Sequence, residues 1–117
     1  MFIQAFNYKK WADKRTLRAI GNIDRNRFPD SYAFVLQQLN HMVIVEELFK
    51  SRLTNAPAPH RSTNTESVPE FSEQDRRLLN SCDWYVNYVS QLKHEQRQIS
   101  FTFADGKCGM MTVQEIL

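Results

Sequence analysis

Residues 30–53, DSYAFVLQQLNHMVIVEELFKSRL, decide how the rest of the chain is read. Wound at about 100° per residue, Tyr32, Val35, Leu36, Leu39, Met42, Val43, Phe49 and Leu53 fall on one broad apolar arc. A second arc carries Phe34, His41, Ile44, Val45 and Leu48, and leaves Gln37, Gln38, Asn40 and Glu47 only narrow polar strips. A helix that is apolar on two sides is packed by neighbours on more than one face, so this segment predicts the central helix of a bundle. It also holds His41, on which any functional reading turns.

Upstream, residues 2–23 predict a first helix, with Ile3, Phe6, Leu17 and Ile20 at helical spacing and Gly21-Asn22 as its stop. Tyr8 and Trp11 are expected to pack into the core. Pro29 punctuates the connection, and Asp30 or Ser31 can cap the central helix. Downstream, residues 54–71 break the pattern with Pro57, Pro59, Pro69 and the polar run HRSTNTES, which predicts a long loop, either mobile at the surface or covering a pocket, with His60 in solvent.

Ser72 and Asp75 form a weak capping box for a third helix reaching about Arg97, its apolar face made by Leu78, Leu79, Cys82, Tyr85, Val86, Val89 and Leu92. His94 reads as a surface residue. The period then changes from 3.6 to 2. Residues 99–111 predict a β-hairpin turning at Asp105-Gly106, and Thr112-x-x-Glu115 is the signature of a further helix whose first turn ends the chain. Helix, helix, helix, hairpin and a helix start leave a bundle one wall short. Two explanations are open: the chain is truncated, or a second copy covers the central helix, making a homodimer.

The totals narrow the class. The 117 residues suit one domain, 1–117, and a 42% hydrophobic, 12% aromatic composition is that of a globular chain rather than a disordered one. A net charge of +2 with scattered basic residues predicts no nucleic-acid partner, and the lack of a long apolar run predicts no membrane span. Cys82 and Cys108 have neither metal spacing nor a disulfide framework, as expected of a bacterial-type cytoplasmic protein. Glu46 lies about 140° from His41 around the helix, poorly placed to ligate one metal ion with it, and is expected to meet Arg15 or Arg18. No nucleophile triad and no Gly-rich phosphate loop occurs.

Three pieces in order, FNYKKWADKRTLRAI, LNHMVIVEELF and FTFADGKCGMMTVQEIL, resemble the opening helix, the H-x-x-x-A-E second helix and the hairpin and last-helix entry of the DinB family. The resemblance covers essentially the whole chain. It implies an all-α fold, an up-down four-helix bundle of which this chain holds three full helices, a short β-hairpin and only the start of the last helix. It further implies a divalent metal (Zn, Ni or Fe) held by three histidines, and chemistry on a thiol or water, with a small-molecule thiol as substrate. Only His41 matches a ligand position; the H-x-x-x-H pair of the last helix has no counterpart in the sequence. Read from the residues alone, His41 is more simply a hydrogen-bonded core histidine; the resemblance makes it a metal ligand. The rival reading is a non-catalytic bundle that acts through dimerisation or protein contacts.

Overall fold

The computed structural model describes residues 2–92, 98–102, 108–112 and 116–117, with the backbone alone for 98–102 and 108–112. Three helices, α1 (Phe2–Gly21), α2 (Pro29–Leu53) and α3 (Phe71–Ser90), make the body of an all-α protein. Two short strands, β1 (Gln98–Thr102) and β2 (Cys108–Thr112), pair antiparallel with Phe101 opposite Gly109, and β1 lies against α2. The Asp105-Gly106 turn, His94 and the Thr112-x-x-Glu115 helix entry fall wholly or partly outside the described residues.

Local chemistry moves the predicted boundaries. The N-cap of α2 is Phe28, not Asp30 or Ser31, because Pro29 takes the first helical position, where its fixed φ suits the helix and its missing N–H is no loss. The connection before it is shaped by Asp24, whose Oδ1 accepts from the backbone N–H groups of Asn26 (3.0 Å) and Arg27 (3.1 Å). Glu70 caps α3, so Ser72 lies inside the helix and the proposed capping box is not used. Packing fixes that start instead: the Phe71 ring sits 3.5 Å from where a Cβ on Gly21 would be. At its other end α3 stops at Ser90 rather than near Arg97. The Ser90 hydroxyl donates to the Asn87 carbonyl at 2.7 Å, and Gln91 turns back on Tyr88.

The helix order is the larger correction. Gly21 meets Phe71, Lys10 meets Asp83, and Phe6 stacks on Tyr85 at 5.4 Å, so α1 and α3 run antiparallel. Because α1 joins α2 through a short turn, the starts of α2 and α3 lie at the same end, and these two helices run parallel. A plain up-down order does not hold for this pair. Residues 54–70 therefore travel back along the whole of α2, whose 25 residues measure roughly 37 Å. A chain of that length reaches roughly 55 Å fully extended, so the crossover is long for a geometric reason. It is hereafter the strap.

The core follows one arc of α2 closely. Leu36, Leu39 and Val43 join Leu17 and Ile20 of α1 and Leu78 and Cys82 of α3 in one cluster; Leu53 and Tyr85 anchor a second toward the other end. On the second arc Ile44 and Leu48 are buried, but Phe34 is 61% exposed. Asn40, on one of the narrow polar strips, is buried at 2% exposure, and Tyr8 and Trp11, expected in the core, are exposed at 66% and 53%. The strap covers Asn40, which bonds its Thr65, and the inner side of α1 is the one that carries Lys9, Leu17 and Ile20, away from Trp11.

Candidate functional site

His41 is half-buried on α2, beneath the strap. Its Nδ1 stands 2.9 Å from the carbonyl oxygen of Thr63. A carbonyl only accepts, so Nδ1 is the donor, and in the neutral ring Nε2 is the nitrogen with the lone pair. A backbone carbonyl on one ring nitrogen is the usual way a protein aims the other nitrogen at a metal or a proton. The neighbouring Asn40 donates from Nδ2 to Thr65 Oγ1 at 2.8 Å, and Thr65 donates on to the Ser67 carbonyl at 2.7 Å. Gln74 of α3 donates to the Pro69 carbonyl at 2.9 Å. The strap is thus tied down at Thr63, Thr65 and Pro69. Asn40 Oδ1 and Gln74 Oε1 are buried without a hydrogen-bond partner among the described residues.

A fourth tie lies nearer the start of the strap. His60, expected in solvent, reaches Glu47 Oε1 with Nε2 at 2.7 Å, while Arg77 of α3 forks onto the same carboxylate through Nε (3.1 Å) and Nη2. A cavity of about 520 Å³ opens beside this trio, lined also by Lys50, Thr54, Pro57 and Glu73. Burial pushes the Glu47 carboxyl up, but the hydrogen bonds from Arg77 and His60 outweigh it and hold it below the usual carboxylate range. A depressed carboxyl stabilises the fold above its unfolded-state pKa, and that contribution is lost as pH falls through the folded-state value. Arg77→Met is therefore expected to cost about 1 kcal/mol above pH 5 and progressively less as the pH falls below the ordinary carboxylate range, measured by thermal melts across acid pH. A deficit that does not change with pH would assign Arg77 to packing instead.

Glu46 meets neither Arg15 nor Arg18. Those side chains are on the solvent side of α1, whereas Lys9 faces inward and donates to Glu46 Oε2 at 2.8 Å and to Asp13 Oδ2 at 2.5 Å. Ser81 donates to Glu46 Oε1 at 2.6 Å, the Tyr85 hydroxyl donates to the Glu46 carbonyl at 2.7 Å, and the Cys82 thiol donates to Asp13 at 3.2 Å. One polar knot ties the three helices together. Burial, with help from Asp13, pushes the Cys82 thiol up to about 12, so it is an inert donor and no nucleophile.

The structure brings His41 to the strap and His60 to Glu47, and keeps Glu46 apart from both in the Lys9 knot. Among the described residues no three His, Cys, Asp or Glu side chains come close enough together to hold a metal ion. His41 is oriented as a ligand would be, but the set around it is incomplete, and no step routed through a metal follows from it. No described helix is long and apolar enough to cross a membrane. The signal for His60 was weak but present: a histidine in a proline-punctuated loop that must retrace α2 has a helix face to meet. Comparison with known proteins finds no curated protein and no solved structure that matches. The family model described as DinB family matches residues 1–117, and the chain belongs to that family.

Proposed function

We propose that this DinB-family chain is a metal-binding helical protein whose functional centre is His41, with Nε2 as the ligating atom toward a divalent ion (Zn, Ni or Fe). The observation that carries the reading is the Thr63 carbonyl on Nδ1, which fixes the tautomer that leaves Nε2 free. One imidazole does not hold such an ion firmly, and the remaining ligands come from outside the described residues. A four-helix bundle closed over the His41 face of α2, with a small thiol as substrate and the cytoplasm as its compartment, belongs to the same proposal. The test is a thermal melt of the full chain with added zinc, nickel or iron(II). A ligand of the folded state raises Tm with concentration, and His41→Ala abolishes the rise. A rise that survives His41→Ala removes His41 from the site.

A second reading is favoured by Phe34, 61% exposed and on the same face of α2 as His41 two turns on. Here a second copy covers that face, and the protein works through the contact. Light scattering at high micromolar concentration checks it: Phe34→Ser should convert a dimer into a monomer, and a wild-type monomer counts against the reading.

A further inference from the structure

We propose that the solvent face of α1 docks an acidic, amphipathic helical segment of a protein partner. The face is built on Ile3, Trp11, Arg15 and Arg18, which follow one another at spacings of eight, four and three residues and so share one side of the helix. Tyr8 and Lys14 flank it. Ile3, Tyr8 and Trp11 are 44%, 66% and 53% exposed. Trp11 lies roughly 160° around the helix from Lys9, the residue that reaches into the core, so nothing packed on the inner side of α1 covers it. This inference is independent of His41.

The face is preordered. The Arg15 guanidinium lies over the Trp11 ring at 4.9 Å, and Tyr8 tilts against the same ring with centroids 5.6 Å apart. A stacked guanidinium keeps its edge N–H groups for an incoming carboxylate. Exposed Trp, Tyr and Arg are also the residue types that carry binding energy at protein interfaces.

Charge selects the occupant. The solvent side of α1 carries Lys14, Arg15 and Arg18, and the one acidic residue of the helix, Asp13, is turned inward onto Lys9. The chain as a whole has 13 acidic and 15 basic residues, so a face with cations alone does not follow from composition. A second copy seated symmetrically on this face would set three cations against three. A single-stranded nucleic acid would need an open aromatic face for base stacking, and Arg15 already occupies one face of Trp11. A helix with carboxylates flanking a strip of leucines meets both the cations and the apolar row, and a ridge at four-residue spacing is what a second helix packs against.

The test uses the ¹⁵N-labelled full chain and a synthetic helical peptide with leucine at alternating three- and four-residue spacing and glutamate elsewhere. The indole N–H resonance of Trp11 should shift saturably, while that of Trp84, packed on Tyr85 and Tyr88, stays put. Affinity should fall as salt rises. It should fall at least about tenfold in the Lys14→Glu, Arg15→Glu, Arg18→Glu combination; Trp11→Ser, a single exposed change followed through the backbone amide resonances of α1, gives the same loss should the triple variant fold poorly. The proposal is overturned by an unmoved Trp11 resonance, by equal binding of the lysine-for-glutamate peptide, or by tighter binding of an oligothymidylate. A Trp11 shift driven by protein concentration alone, the mark of a second copy, also overturns it.

Discussion

Leu78→Ala should lower the unfolding free energy by about 2–5 kcal/mol, the range for a leucine truncated in a packed core. Leu78 is fully buried on α3 and belongs to the cluster in which Leu17 and Ile20 of α1 meet Leu36, Leu39 and Val43 of α2. Removing its isobutyl group opens a hole bordered by three helices. Each helix is held in place by polar ties elsewhere, the Lys9 knot toward one end and the Gln74–Pro69 bond toward the other, so the walls cannot collapse inward. Limited collapse puts the cost in the middle of the range or above it, and Tm should drop by about 10 °C. Reversible chemical denaturation at neutral pH gives the free energy directly. A loss under about 1 kcal/mol would mean that α3 slides to refill the space, and the polar ties would then be looser than their distances indicate.

Lys9→Met should cost about 2 kcal/mol and, unlike Leu78→Ala, should be relieved by acid. Lys9 stands between Asp13 and Glu46, whose side chains are 13% and 12% exposed; removing the ammonium leaves two poorly hydrated carboxylates facing each other. Breaking a fully buried pair costs about 3–5 kcal/mol, and the lower figure allows for the 36% exposure of the Lys9 side chain and the screening it brings. Burial pulls the Lys9 pKa down, but its bonds to Asp13 and Glu46 outweigh that and raise it. The stabilisation in the parent is therefore complete below the ordinary lysine value and fades only as pH rises through the raised one. In the variant, proton uptake by either carboxylate removes one of the two facing charges, so the deficit at pH 7 should shrink toward pH 4. Denaturation curves at both pH values decide the matter, and an equal deficit at both would show that the lysine stem, rather than its charge, holds the helices.

How much of this was legible in the sequence depends on what each residue answers to. The three helices and the core arc Leu36–Leu39–Val43 answer to local periodicity, and were readable to within a few residues. Phe28 as the cap of α2 and Ser90 as the end of α3 were not, because each depends on a bond that competes with a better-known signal. The parallel course of α2 and α3 leaves no mark in periodicity. Its only trace is the length and proline content of 54–70, which reads equally well as mobility. The exposure of Trp11 has the same origin: a 3.6-residue period tells which residues share a face and is silent on which face a third helix chooses. His41 was legible as a singular residue. The Thr63 carbonyl that sets its tautomer comes from 22 positions downstream and could not be inferred without the path of the strap.

The parallel pair of helices also sets an order of events for the folding chain. The connection between α1 and α2 is short, so a helical hairpin of these two costs little loop entropy and can form within the first local collapse. Docking α3 is different in kind. It must bring Cys82 back to Asp13 across 69 residues and Ser81 to Glu46 across 35, and these two bonds onto the carboxylates already held by Lys9 form only when it does. Contacts of such separation reward the chain only after most of it has been ordered, which places the barrier late and makes it one of topology rather than of helix formation. A body of three helices, as the described residues form, would then fold at the pace of a mixed α/β domain, with the crossover as the pacemaker.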